Sequence, residues 1–168
     1  STSLWRRYAA GERVVYGHRL PEGLRKNTAL EAPIVTPTSK APAGGHDEPL
    51  TCAEVTERGL VERDLWEQVQ HVALSVFARG QAVAARAGLV LADTKYEFGL
   101  DRQGRLLLID ELHTPDSSRY WEAGSYEQRL SAGVEPESLD KEVVRRALTD
   151  AGYQGEGPPP VVASEVWA

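Results

Sequence analysis

The chain has 168 residues, 41% of them hydrophobic and 26% charged, with a formal net charge of -6. These are the proportions of a folded domain, which argues against wholesale disorder, and the mildly acidic balance argues against nucleic acid as a partner. A single cysteine, Cys52, excludes an internal disulfide and a thiolate metal cluster and favours a reducing compartment, the cytoplasm; no apolar run reaches the length of a membrane span, so no membrane partner is expected.

Both ends read as interior sequence. The chain opens Ser1-Thr2-Ser3-Leu4-Trp5, closes Glu165-Val166-Trp167-Ala168 and contains no Met, so further sequence is expected on either side. Residues 1–11 predict a short helix around Leu4, Trp5 and Tyr8, ended by Gly11. Residues 12–51 are rich in turn formers, from Gly17 and Pro21 to Gly44 and Gly45, and predict mostly loop with short extended pieces such as 13–16. A loop of that length inside a domain points to function or mobility. Thr51 then reads as an N-cap with Glu54 three residues on as a capping box. Leu65, Val69, Val72, Val76, Phe77 and Val83 recur at steps that predict an amphipathic helix to about Arg86, stopped by Gly88. His71 on that helix reads as surface or core filling. Leu89-Val90-Leu91-Ala92 starts a strand, 105–110 forms another, and Asp101-Arg102-Gln103-Gly104 is a hairpin turn signal. A polar stretch with Arg119, Tyr120, Trp121 and Tyr126 follows. Residues 139–151 predict a second amphipathic helix capped near Ser138, residues 152–160 a Gly- and Pro-rich linker, and a last short helix starts near Ser164. The domain organisation expected is one chain-long unit, 1–51 mostly loop with short strands and 52–168 a helix-hairpin-helix core.

The hairpin carries the chemistry. Alternation along a strand puts Asp93, Lys95 and Glu97 on one face and Thr94, Tyr96 and Phe98 on the other. Three alternating charges on an otherwise apolar strand need partners, because burying them alone costs several kcal/mol each. A two-residue loop at Arg102-Gln103 sets Asp110 opposite Lys95, whereas a bulge at Gly104 shifts the register by one and sets Glu111 there. Neighbouring carboxylates beside a lysine suit Mg²⁺ and phosphate oxygens, the layout of an ATP site; a surface hairpin with cross-strand ion pairs fits the same pattern. Thr36-Pro37-Thr38-Ser39-Lys40 with Gly44-Gly45-His46-Asp47-Glu48 offers hydroxyls, a lysine and backbone amides for phosphate, or is a solvated loop. Thr114-Pro115-Asp116-Ser117-Ser118-Arg119 offers an acid for sugar hydroxyls and a guanidinium for phosphate, or is a capped turn. Neither a P-loop nor a G-x-G-x-x-G motif is present.

Taken together, these segments resemble the SAICAR synthetase family. Leu91-Ala92-Asp93-Thr94-Lys95-Tyr96-Glu97-Phe98-Gly99 is similar to its second signature, with a typical Asp-x-Lys-x-Glu-Phe-Gly core. Ile109-Asp110-Glu111 and the run Thr114 to Trp121 resemble its next block, and Pro33 to Lys40 with Gly45-His46-Asp47-Glu48 the preceding one. Leu20 to Leu24 and Leu139-Asp140-Lys141 also fit, and the blocks stand in family order along the whole chain.

The resemblance implies an α+β, two-lobed ATP-binding fold whose kinase-like N-terminal lobe is absent from this sequence, with an antiparallel hairpin packed against amphipathic helices. It implies an ATP-dependent ligase of purine biosynthesis. Mg-ATP activates the carboxylate of carboxyaminoimidazole ribotide (CAIR) as an acyl phosphate, and the L-aspartate amine attacks it, forming the amide, ADP and phosphate. By resemblance Glu97 and Asp110 serve the metal and its phosphates, and Lys95 sits among the reacting phosphate and carboxylate oxygens. Lys40 and Asp47 lie by the reacting groups. Arg119 with Ser3 holds the ribotide phosphate, Lys141 contacts the nucleotide substrate, Asp116 lies in its neighbourhood, and Asp93 is placed with the substrate-binding set. The sequence departs from the family's habit at His113, where many members have a smaller or aliphatic residue, and at Val35, which replaces a common Phe. Without the other lobe the chain is expected to be inactive alone, with an exposed apolar surface open to homo-oligomer formation. A degenerate relative that binds ribotide without ligating is the alternative. A protein-kinase-like phosphotransferase is disfavoured, since no His-Arg-Asp or Asp-Phe-Gly motif occurs.

Overall fold

A computed structural model of the chain describes residues 3–39, 47–155 and 157–162. The chain divides into two units, Ser1–Val76 and Phe77–Ala168.

The first unit begins with helix α1 (Leu4–Ala9), whose first turn is capped by the Ser3 hydroxyl accepting from Arg6 N–H at 3.4 Å. Strands β1 (Val14–Val15) and β2 (His18–Arg19) pair through a two-residue turn. Both turn residues, Tyr16 (φ 56) and Gly17 (φ 84), are left-handed, the backbone that matches the natural twist of a tight hairpin. Tyr8, Val15, Tyr16 and Leu20 form a core here, and the Tyr8 hydroxyl donates to Pro21 O and accepts from Leu24 N–H. Helix α2 (Cys52–Glu57) starts on the capping box anticipated at Thr51 and Glu54, with both reciprocal bonds formed. Helix α3 (Arg63–Arg86) follows, and Trp66 packs with Leu50 and Val55 in a second core. Trp66, one position past the expected Leu65, is the buried residue there; at the other end of α3 Ala84 is buried and Val83 is 45% exposed.

In the second unit, Gly88 (φ 72) ends α3 and leads into β3 (Leu89–Thr94). After it come β4 (Glu97–Leu100), β5 (Leu106–Ile109), β6 (Ser118–Glu122), α4 (Ala123–Ala132) and α5 (Glu142–Asp150). The expected single hairpin is two nested ladders. β4 pairs with β5, and β3 pairs with β6, a strand that the polar sequence does not announce. Residues 95 and 96 interrupt the strand between β3 and β4. At the β4–β5 turn, Gly104 (φ 77) donates to Asp101 O and Asp101 N–H to Arg105 O. That is the bulged alternative, with the register Glu97↔Ile109. The expected helix at 139–151 starts late, at Glu142, with Lys141 as its N-cap residue. Ser138 does not cap it but is buried and bridged to Trp121. The last expected helix, near Ser164, lies outside the described residues. The architecture is α+β.

Candidate active site

Seven of the sequence-derived site residues fall in the second unit, and six of them form three acid–base pairs. A bulge at Ala92 separates Leu91↔Tyr120 from Asp93↔Arg119, so Leu91 is buried while Asp93 turns out to meet Arg119 across the ladder at 3.1 Å. At the strand break, Lys95 Nζ donates to Glu97 Oε1 at 2.5 Å. Lys141 Nζ donates to Asp116 Oδ1 at 2.7 Å. Asp110 is the seventh. It sits one residue beyond the last paired position of β5 with φ 64, which turns the chain out of the ladder; the observed register would in any case set Asp110 opposite Tyr96 and Glu111 opposite Lys95. The expectation of Asp93, Lys95 and Glu97 on one strand face, beside Asp110 or Glu111 from the returning strand, is therefore corrected: a bulge precedes Asp93, residues 95 and 96 break the strand, and Asp110 and Glu111 lie on the loop past the last paired position of β5.

The loop at residues 110–117 organises these groups. Thr114 and Ser117 exchange backbone-to-hydroxyl bonds, and the Glu111 carboxylate accepts from the Thr114 hydroxyl. Ser117 O accepts from Lys95 N–H at 3.0 Å, and Pro115 O from Lys141 N–H at 3.1 Å. Two lysines far apart in sequence are thus hung on one turn. Beside it lies an open depression of about 570 Å³, lined by Pro115, Leu139, Val143 and Val144 with Asp116, Asp140 and Lys141.

The charges respond to these neighbours. The Lys141 ammonium holds the Asp116 carboxyl below its ordinary range. Desolvation pushes the Asp93 carboxyl up; Arg119 pulls it back, and Asp140 and Glu142 add to the rise. Since 56% of the Asp93 side chain is open to water, solvent screens these influences and the pair with Arg119 contributes at most about 1 kcal/mol.

In the first unit the ends of the Thr36–Glu48 segment are pinned together. Ser39 N–H donates to Glu48 O, Glu48 N–H to the Ser39 hydroxyl, and Leu50 N–H to Pro37 O. Asp47 stands at one end of that closure; Lys40 lies outside the described residues. Ser3 caps α1.

The family model for SAICAR synthetase matches residues 3–160. The chain belongs to the SAICAR synthetase family. It is 54% identical over 166 residues to a putative phosphoribosylaminoimidazole-succinocarboxamide synthase 2 of Mesorhizobium japonicum, covering 99% of this chain and 53% of the relative. SAICAR synthase from Saccharomyces cerevisiae complexed with SAICAR is a structural match at TM-score 0.78 and 32% identity, covering 96% of this chain and 50% of that one. A SAICAR synthetase in complex with ADP matches at TM-score 0.58 and 28% identity, covering 84% of this chain and 57% of that one. The chain spans about half the length of the curated relatives it matches.

Two residues to which the sequence assigns no role stand out in the structure. Asp140 is buried, accepting from Tyr120 N–H at 2.7 Å and Glu142 N–H at 2.8 Å, and so ties the strand carrying Arg119 to the turn carrying Lys141. An Asp just ahead of a helix is a capping signal, and it competes here with the nearby Ser138. The other is His113, whose ring meets Tyr96 and Gly80. No local sequence signal announces that contact.

Proposed function

We propose that the chain supplies the ribotide-binding and metal-binding part of an ATP-dependent ligase that joins L-aspartate to CAIR, giving SAICAR, ADP and phosphate. The observation that carries this reading is the family match along residues 3–160 coinciding with three exposed acid–base pairs in its motifs. The structural matches in complex with SAICAR and with ADP support this reading.

In this reading Arg119 receives the ribotide phosphate, for which a guanidinium fork is suited, and Asp93 keeps that fork oriented until substrate arrives. Lys141 and Asp116, beside the open depression, contact the nucleotide. Lys95 neutralises oxygens of the reacting phosphate and carboxylate. Ser3, Lys40 and Asp47 are assigned on the resemblance alone. Glu97 and Asp110 would hold Mg²⁺. Both are carboxylates, hard oxygen donors. That donor set fits an ion held by one or two carboxylates with phosphates and water completing its shell. When bound, Mg²⁺ would neutralise phosphate charge; the chain's own part is to place Lys95 and the carboxylates and to orient the ribotide. The aspartate amine then forms the new C–N bond as phosphate leaves the activated carboxyl.

The test is steady-state kinetics of the protein as its gene encodes it. Arg119→Ala and Lys141→Ala should each raise the KM for CAIR at least tenfold and leave the KM for ATP within about twofold, as expected when a charged hydrogen bond worth about 1.5–3 kcal/mol is lost. Equal effects on both substrates would overturn the assignment.

A further inference from the structure

The β4–β5 ladder stops at Glu97↔Ile109. Its continuation would set Tyr96 opposite Asp110 and Lys95 opposite Glu111, but Asp110 at φ 64 leaves the strand path. Past that point no ladder holds the Lys95–Glu97 crossover against the loop that carries Asp110 and Glu111. A different set of contacts does. The Tyr96 hydroxyl lies 2.5 Å from His113 Nε2, and the two rings are 5.5 Å apart at their centroids. The Tyr120 hydroxyl donates to His113 O at 2.7 Å. The imidazole fills a notch on α3 that exists only because residue 80 is glycine: a Cβ there would stand 2.7 Å from His113 Nδ1 and 2.9 Å from Nε2.

His113 is itself left-handed, with φ 54, a conformation that costs a non-glycine residue on the order of 1 kcal/mol and persists only where the surroundings hold it. Here a hydroxyl on the ring, a hydroxyl on the carbonyl and a helix groove under the imidazole all hold it. Tyr96 links this anchor to the site, because its sequence neighbours are the paired Lys95 and Glu97. Both partners are neutral near pH 7. Desolvation pushes Tyr96 up to about 12, with Tyr120 adding to the rise, and desolvation lowers His113, so the bond needs no charge.

We propose that His113 is a positioning residue whose contacts with Tyr96, Tyr120 and Gly80 clamp the Asp110–Thr114 loop to the Lys95–Glu97 crossover and set the spacing of the charged groups on both. The role in catalysis rests on the functional reading above; the clamp itself does not.

Two measurements keep those apart. In the first, hydrogen exchange is followed in the chain. Tyr96→Phe, which keeps the ring, and Gly80→Ala, which displaces the imidazole, should each speed exchange of the Lys95 and Thr114 amides about tenfold, the scale of one neutral hydrogen bond, and leave the β3–β6 ladder unchanged. No change, or equal acceleration everywhere, would overturn the clamp. In the second, ligase kinetics are measured on the protein as its gene encodes it. Tyr96→Phe and His113→Leu should lower kcat by about tenfold, the scale of one lost neutral hydrogen bond that positions the charged groups, with the CAIR KM within twofold, and His113→Gln should recover part of the loss. A loss confined to CAIR affinity, or identical losses for Gln and Leu at position 113, would overturn the positioning role. If the unaltered protein shows no turnover, the functional reading falls and the exchange measurement alone decides the clamp.

Discussion

Replacing Asp140 with alanine would test how the site is held together. Asp140 is 6% exposed, and its carboxylate accepts two backbone N–H groups, Tyr120 at 2.7 Å and Glu142 at 2.8 Å. Tyr120 follows Arg119 and Glu142 follows Lys141, so one side chain fixes the backbone beside two proposed ribotide contacts. A hydrogen bond to a charged group is worth about 1.5–3 kcal/mol, and a buried N–H left without a partner adds a desolvation penalty, so the loss for Asp140→Ala should be about 3 kcal/mol or more. In urea that is a midpoint shift on the order of 1–2 M. Asp140→Asn keeps one oxygen acceptor but turns an NH₂ toward the other N–H, and should cost about half as much. The assay is urea unfolding of the chain, paired with hydrogen exchange at the Tyr120 and Glu142 amides. A loss below about 0.5 kcal/mol for Asp140→Ala, the range of an ordinary surface change, with both amides still protected, would refute the reasoning.

Two further outcomes follow from the charges. His113 has a lowered pKa in the fold because burial disfavours its imidazolium. As pH falls from the ordinary histidine value of about 6.5 toward the lowered folded value, the unfolded chain binds the proton first, so stability drops through that window and is fully present above it. Chemical denaturation across pH 5 to 8 should show this drop and His113→Gln should flatten it; an unchanged profile would remove His113 as its source. Glu97→Gln and Asp110→Asn should each weaken Mn²⁺ binding in the presence of ADP by about tenfold or more, read by electron paramagnetic resonance, since each removes a hard oxygen donor of full charge. Unaltered binding in both would take those carboxylates out of the metal's shell.

Local signals in the sequence mark several elements correctly. The Thr51 and Glu54 capping box, the stop at Gly88 and the hairpin turn at Asp101–Gly104 are each decided within a few residues, by side-chain caps or by a φ that favours glycine, although the sequence leaves open the choice between a two-residue loop and a bulge at that turn. What stays hidden is decided across the chain. Ser118–Glu122 looks too polar for a strand, yet Ser118 is buried because its hydroxyl meets Thr94 Oγ1 at 2.8 Å on the partner. Helix α4 carries Gly124 and Ser125, poor helix formers, in its first turn and is secured by Glu122, an uncommon capping residue whose carboxylate accepts both N–H groups. The site follows the same rule. Period-two spacing singles out Lys95 and Glu97 as partners, but their contact forms across a strand break and not along a strand face. The meeting of Asp93 with Arg119 depends on a bulge and on a strand pairing that no local pattern encodes.

Nesting one ladder inside another also has a consequence for how the chain reaches this arrangement. β3 and β6 can pair only if Thr94 and Ser118 find each other across the intervening residues. Once β4 and β5 have zipped, most of that span is already closed, and only residues 95–96 and 110–117 are left to bend. Each halving of a flexible loop saves roughly 0.6 kcal/mol of closure entropy, about a threefold gain in the chance of encounter. The inner hairpin, with its short turn, should therefore fold first and act as a template for the outer pair. Changes at Gly104 should accordingly slow refolding of the second unit, whereas changes at the Ala92 bulge should mainly hasten its unfolding.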